Sequence, residues 1–238
     1  MKFNYSKRNT DPEWMDDPAL DPQVLDTAVA DINKCNTYLG GYGFTKKAIL
    51  NIINQNPQKR YRIIDVGCSD GAMLRYLKKE LPDHDLELTG IDLSSRSIEK
   101  ASEKSRGLEG VRFRESDIFK TPLRELKCDI VLVTLTLHHF DEDVILDFLR
   151  RFMEMADKAV IINDLHRHPI AYGFFKFLSP IFIRNEISIH DGLISIASGF
   201  RRADFNRYAR ALELNNDRLK WKWSFRYIWI LPSHERKN

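Results

Sequence analysis

Ile63-Ile64-Asp65-Val66-Gly67-Cys68-Ser69-Asp70-Gly71 decides the fold of this chain. Four apolar or strand-compatible residues run into a turn bracketed by two glycines, and an apolar-periodic stretch, Ala72 to Glu80, follows. The order is buried strand, tight turn, helix. Gly67 and Gly71 let the backbone approach a ligand where a Cβ would collide. The helix start offers free N–H groups to an anionic group. A bare structural turn would use the same residues. The spacing is not the GxGxxG of a dinucleotide loop, and no GxxxxGK[ST] phosphate loop occurs.

Working outward, short apolar runs recur at Arg62–Val66, Leu86–Ile91, Val111–Arg114, Asp129–Leu135 and Ala159–Ile162. Helix-like stretches separate them at Ala72–Glu80, Ser95–Lys104 and Asp143–Ala156. Repeated strand–helix–strand units predict an α/β fold, doubly wound, with a mostly parallel sheet covered on both faces. Before it, apolar spacing predicts a helix over about 22–39, stopped by Gly40, Gly41 and Gly43, and a second over about 45–55. Residues 1–60 thus read as an N-terminal helical cap and 61–238 as the main domain. The stretch Ile170 to Ile183, with His190-Asp191-Gly192, interrupts the alternation and predicts a lid insertion at about 165–200. A helix over about 202–212 follows. Alternation from Leu219 to Trp229 then predicts β-structure, as one long strand or as two with a turn near Ser224.

The 238 residues include 37 Lys and Arg against 34 Asp and Glu, a net charge of +3. A nucleic-acid binder usually carries a stronger excess. Cys35, Cys68 and Cys128 lie far apart and lack CxxC spacing, which excludes a zinc ribbon or a disulfide framework and suits a reducing, cytoplasmic setting. The N-terminus has no apolar core for export. Lys176 and Pro180 break the longest apolar run, so no membrane span is expected.

Two further signals lie at strand ends. Gly90-Ile91-Asp92-Leu93-Ser94 places a carboxylate ~20 residues or somewhat more beyond the glycine loop, where it can take a ribose diol. Its alternative reading is a helix cap, and Ser94 can cap while Asp92 binds. Ser116-Asp117-Ile118 places a carboxylate after the third strand, where a turn aspartate is the alternative.

Taken in order, these signals with Cys128–Leu137 and His138-His139-Phe140 resemble the class I S-adenosylmethionine-dependent methyltransferases over about Tyr61 to Asp164. Cys68-Ser69-Asp70 departs slightly from the richer glycine motif usual there. The resemblance implies a Rossmann-like seven-stranded sheet with an antiparallel C-terminal strand and a helical cap and lid. It also implies S-adenosyl-L-methionine as cofactor. On that basis Asp65 meets the cofactor's ammonium, directly or through water. Gly67, Cys68, Ser69 and Gly71 pass the methionine moiety, and Asp92 takes the ribose with Leu93 on the adenine face. Asp117 and Ile118 meet the adenine ring, and Thr134 and Leu135 lie under the sulfonium. Shorter motifs, among them Glu13-Trp14-Met15-Asp16-Asp17-Pro18 and Asn163-Asp164-Leu165-His166, resemble bacterial small-molecule methyltransferases found beside type III polyketide synthases. The cofactor motifs and Leu-His-His also resemble the ubiquinone and menaquinone-pathway enzymes.

Methyl transfer needs alignment of nucleophile, methyl and sulfur, and a proton acceptor where the nucleophile is a hydroxyl. His138 and His139 follow the fourth strand and His166 the fifth, so these three are the candidate catalytic residues. His166-x-His168 with Asp164 or Asp191 has the spacing of a metal pair; the expectation is no metal. Arg167 is read as solvated or holding a substrate carbonyl. The aromatic run Ala171–Leu178 either packs on the cap or walls an apolar pocket. The expected activity is O- or C-methylation of a phenolic, polyketide or quinone-like small molecule by a monomer or homodimer. The alternatives are an RNA or protein methyltransferase using the basic C-terminal residues, or a non-catalytic cofactor-binding module.

Overall fold

The computed structural model describes residues 3–17, 19–215 and 218–233. Pro18, quoted in the N-terminal motif, lies outside the described residues. The elements in chain order are α1 (Pro22–Tyr38), α2 (Gly41–Gln55), β1 (Arg60–Val66), α3 (Ala72–Glu80), β2 (Asp85–Asp92), α4 (Ser95–Lys104), β3 (Val111–Glu115), α5 (Leu123–Leu126), β4 (Cys128–Thr134), α6 (Glu142–Met155), β5 (Ala156–Leu165), α7 (Pro169–Phe182), α8 (Glu186–Ser198), α9 (Arg202–Ala211), β6 (Leu219–Lys222) and β7 (Arg226–Pro232). One sheet holds all seven strands in the order β3-β2-β1-β4-β5-β7-β6. β1 to β5 pair in parallel, and β7 runs antiparallel between β5 and β6. The chain order reverses between β1 and β4. In such sheets ligands bind beyond the carboxyl ends at that switch point.

Alternation along the strands sends side chains into two apolar cores. Ile64, Val131, Val133, Val160 and Ile162 face one side, packed with Phe152 of α6, Phe205 of α9 and Trp229. Ile63, Ile130, Leu132 and Ile161 face the other, packed with Ile49 and Ile53 of α2 and Leu74 and Leu77 of α3. α2 therefore covers the sheet directly. Near-complete burial of β4 explains its unbroken apolar run.

The glycines after α1 behave differently from a simple stop signal. Gly40 adopts a left-handed conformation and precedes α2, whereas Gly41 and Gly43 lie inside that helix. A Cβ on Gly41 would stand 2.8 Å from Asn36 Oδ1 and 3.1 Å from Arg226 Cζ, so close packing demands glycine there. The C-terminal β-structure is two strands, with Ser224 and Phe225 at positive φ in the turn. His190-Asp191-Gly192 lies within α8. Gly192 admits the ring of Phe175, whose Cζ would collide with a Cβ at that position.

Candidate functional site

β1 ends at Val66, and the chain turns with Gly67 at φ 71°, Ser69 at φ 48° and Gly71 at φ 76°. The backbone N–H groups of Gly67 and Cys68 both donate to Ile91 O, at 2.9 and 3.1 Å, tying the loop to β2. The Cys68 side chain is buried against Gly90, where a Cβ would stand 2.7 Å from its Sγ. Burial, with Asp65 nearby, pushes that thiol up. Gly71 is constrained by packing, since a Cβ there would meet Phe113 at 2.5 Å.

Asp92 links loop and helix. Its Oδ2 accepts Ser69 N at 2.9 Å, and its Oδ1 accepts Ser94 N at 3.0 Å. Ser94 caps α4 by accepting Ser97 N. Each Asp92 oxygen has a further lone pair for a hydroxyl. Leu93 beside it is 69% exposed. Asp65 is buried in β1, and burial with the charge of Asp92 pushes its carboxyl up to about 8. Asp117 follows β3, with Oδ1 accepting Phe119 N at 2.9 Å and Lys120 Nζ 3.2 Å from Oδ2. The Phe119 N–H, against a small burial effect and with Lys120, holds this carboxyl below its ordinary value. Ile118 is buried and its carbonyl accepts Arg151 Nε at 2.8 Å. The structure thus brings Asp65, Gly67, Asp92 and Asp117 to neighbouring strand ends.

Beyond β4, Leu135 takes φ 52°, an uncommon conformation for a branched apolar residue. Its N–H donates to Asn163 O at 2.9 Å. Thr136 Oγ1 donates to Thr134 O or Val66 O, at 3.0 and 3.3 Å, and so bridges β4 and β1 above Gly67. The sequence reading missed Thr136 and also Asp70. Buried Asp70 accepts Asn33 Nδ2 at 3.1 Å on both oxygens and Lys104 Nζ at 2.7 Å, and Arg75 stands 3.4 Å away. Burial opposes ionisation there, but Lys104, Arg75 and Asn33 outweigh it and hold the carboxyl low. Tyr42 Oη donates to Asn33 Oδ1 at 2.7 Å, so α1 and α2 are both bound to the glycine loop.

The three candidate histidines occupy two different environments. His138 is buried, with Nδ1 2.7 Å from Asp164 Oδ1 and Nε2 3.8 Å from Glu13 Oε1. Burial pushes the imidazole down, but Asp164 and Glu13 overcome this and lift it to about 9. His139 is more exposed, stacks on His138 with centroids 4.4 Å apart, and has Nδ1 3.8 Å from Asp16. Burial and the His138 charge push it down. His166 stands apart in an aromatic nest with His168, Phe225 and Tyr227. Trp221 Nε1 donates to its Nδ1 at 3.2 Å, and burial first, then His168, pushes it down to about 4. His168 Nδ1 accepts Ile170 N and starts α7.

Asp164 and Asp191 do not join His166 and His168. Asp191 accepts Trp14 N and Met15 N, both at 2.8 Å, and lies 2.8 Å from His190 Nδ1. Trp14 stacks on His190 at 3.6 Å. Arg8 donates to Ser198 O, His138 O and Phe140 O. The N-terminal arm is therefore fastened across the end of β4 and α8, and it carries Glu13 into the site. Arg167 is neither solvated nor free for substrate: it is buried, donating to Tyr5 O, Gly199 O and Asp204. In the aromatic run, Phe175 packs on Gly192, whereas Phe174 and Phe177 are 60% and 76% exposed.

Residues 63–158 match the family model for a methyltransferase domain. Over those residues the chain resembles methyltransferase domains. Its enzyme character follows from that domain and from its curated relatives. The chain is 26% identical, over 85% of its length and 74% of the relative's, to the carboxy-S-adenosyl-L-methionine synthase of Aeromonas hydrophila subsp. hydrophila. It is 32% identical to the protein of the same name from Helicobacter pylori over 41% of this chain and 39% of that one. In fold, the domain is similar to the plantazolicin methyltransferase BpumL in complex with SAH, with TM-score 0.68, 16% identity and 93% of each chain covered. It is also similar to the magnesium protoporphyrin IX methyltransferase of Synechocystis PCC 6803, with TM-score 0.58, 13% identity, and 92% and 91% of the two chains covered. Among the described residues, no helix is long and apolar enough to cross a membrane.

Proposed function

We propose that this domain binds S-adenosyl-L-methionine beyond β1, β2 and β3 and transfers its methyl group to oxygen or carbon of a small phenolic, polyketide or quinone-like acceptor. The observation that carries the reading is Asp92, which braces the glycine loop through Ser69 N and keeps acceptor capacity for a ribose diol. Asp65 is the partner for the cofactor's ammonium, Asp117 and Ile118 for its adenine. Gly67 leaves room for the methionine moiety, and Leu135 and Thr136 close the floor beneath the sulfonium.

The reaction is an in-line displacement: the nucleophile forms a bond to the methyl carbon, the carbon–sulfur bond breaks onto sulfur, and S-adenosylhomocysteine leaves. A hydroxyl nucleophile also gives up its proton. His138 and His139 stand at the end of β4, where the acceptor would meet the methyl group, and α1, α7 and α8 form the lid around it. His166, lodged against Trp221, lies outside this arrangement. The basic C-terminal residues give little support to an RNA-binding face: Arg226 is buried on Asn36, and Arg207 pairs with Glu142 and Asp204. The test is formation of S-adenosylhomocysteine across a panel of phenols, pyrones and quinols. Binding of the cofactor without turnover on any acceptor, together with methylation of RNA, would overturn the acceptor reading.

A second reading is favoured by the relatives' name. In that reading the same site makes a carboxylated form of the cofactor: a proton leaves the sulfonium methyl group, and its carbon forms a bond to carbon dioxide released by a decarboxylating acid supplied as second substrate. Mass spectrometry of the nucleoside recovered after incubation separates the two: S-adenosylhomocysteine marks transfer, and a carboxyl-bearing S-adenosylmethionine marks the alternative.

A further inference from the structure

Glu13, His138 and His139 present ligand atoms within 4.8 Å of one another at the end of β4. The feature that gives this cluster meaning is His138 Nε2. It is buried without a hydrogen-bond partner among the described residues, and it faces Glu13 Oε1 at 3.8 Å, too far for a hydrogen bond. A polar ring nitrogen left unpaired in the interior costs free energy, and such groups are rare without a reason.

We propose that Glu13, His138 and His139 form a site for one divalent transition metal ion of the zinc class. Bonds of about 2.0–2.2 Å to nitrogen and oxygen put neighbouring ligands roughly 3.3–3.6 Å apart around a tetrahedral ion. The His138–Glu13 separation of 3.8 Å is already close to that. His139 closes the remainder by a shift of about 1 Å, which its exposed position permits. Two imidazoles and a carboxylate, with no thiolate, suit zinc, cobalt, manganese or iron in the divalent state.

The surrounding shell has the form that metal-binding histidines require. His138 keeps Nδ1 on Asp164 at 2.7 Å, which fixes the ring and leaves Nε2 aimed inward. Glu13 Oε1 accepts the Ser195 hydroxyl, which fixes the carboxylate. Asp16 stands behind His139 at 3.8 Å. The competing explanation is a charged imidazole held between two carboxylates as a clamp for the N-terminal arm. It treats both carboxylates as ion-pair partners of His138 and requires that the ring keep its proton and take no ion, which the titration decides. Three protein ligands leave a fourth position for water or for an oxygen of the acceptor. The binding claim is independent of the methyl-transfer reading; use of that fourth position rests on it.

The test titrates the intact, metal-stripped protein with Co(II), read by visible absorption and by equilibrium dialysis with metal analysis. S-Adenosylhomocysteine binding is measured in parallel. One Co(II) per chain with tetrahedral d–d bands is expected. Glu13→Gln and His139→Gln should each weaken binding tenfold or more while far-UV circular dichroism stays unchanged. Asp164→Asn should weaken it about 10- to 100-fold, because Asp164 no longer holds the His138 ring with Nε2 toward the ion. Competition by Zn(II) should bleach the bands. Failure of the wild-type protein to bind, or equal binding by Glu13→Gln and His139→Gln, would overturn the proposal. If S-adenosylhomocysteine binds while Co(II) does not, the metal site alone is wrong; the converse leaves the metal site standing and removes the cofactor reading.

Discussion

Thr136 occupies the space that a side chain on Gly67 would need. A Cβ built there would stand 2.5 Å from Thr136 Cγ2 and 2.7 Å from its Oγ1. The glycine loop and the end of β4 are therefore fitted to each other before any ligand arrives. Gly67→Ala must both move Thr136 and hold alanine at φ 71°, and the second effect alone costs about 1–2 kcal/mol. The variant should melt at lower temperature and bind S-adenosylhomocysteine at least tenfold more weakly. Adding Thr136→Ala should recover part of the stability, because the nearest methyl and hydroxyl are gone. Equal melting of Gly67→Ala and wild type would show that the loop relaxes freely.

With Asp65 on the cofactor's ammonium, as proposed, cofactor binding should depend on pH. Its folded-state value of about 8 lies above the ordinary 3.8. The unfolded chain ionises this group first, so between these values the apo-protein loses stability as pH rises. A bound ammonium favours the carboxylate and brings that value down. Cofactor binding near neutral pH should then release a proton, and affinity should rise between about pH 6 and 8. Calorimetry in buffers of different ionisation enthalpy measures the release. Asp65→Asn should abolish it. A proton count indistinguishable between wild type and Asp65→Asn would remove Asp65 from the ammonium site.

The N-terminal arm hangs on Asp191, which accepts two backbone N–H groups of Trp14 and Met15. Hydrogen bonds to a charged acceptor are worth about 1.5–3 kcal/mol each. Asp191→Ala should free the arm and speed limited proteolysis among residues 3–17 by tenfold or more, while the sheet stays folded. Unchanged protection would mean that the Trp14–His190 stack and Arg8 hold the arm without it.

His166 is expected to be dispensable for chemistry. It is neutral near pH 7, with its value pushed down to about 4, and its Nδ1 is taken by Trp221. His166→Phe should keep turnover within about threefold of wild type and lower stability modestly through the lost bond. A loss of 100-fold or more, the usual scale for a removed general base, would return His166 to the reaction.

Most of the fold was legible because it is written in local patterns. The buried runs of β1, β4 and β5 and the Gly67–Gly71 turn are contiguous in sequence, and each announces its neighbour. The turn near Ser224 was left open between one strand and two, since alternation alone does not reveal positive φ at Ser224 and Phe225. Gly41 misled as a helix breaker because its role is tertiary: Arg226 comes from elsewhere in the chain to fill the space beside it, as Phe175 does beside Gly192. The site divides the same way. Asp65, Asp92 and Asp117 sit at predictable strand ends. Glu13, Asn33, Asp70 and Thr136 gain their roles only when distant segments meet, as when Asn33 reaches Asp70 from 37 residues away. Asp70 lay in plain view between two glycines, and its place inside the loop was the available signal.

The central claim is that the carboxyl ends of β1 and β2 hold S-adenosylmethionine, with Asp92 on the ribose. Calorimetric titration of the folded protein with S-adenosylhomocysteine, wild type beside Asp92→Ala, tests it most directly. One site per chain is expected, with a dissociation constant between about 1 μM and 1 mM, the range usual for enzyme substrates. Asp92→Ala should weaken it roughly 10- to 150-fold, the equivalent of about 1.5–3 kcal/mol for a charged acceptor. No heat of binding at millimolar ligand, or equal affinity in the variant, would contradict the account.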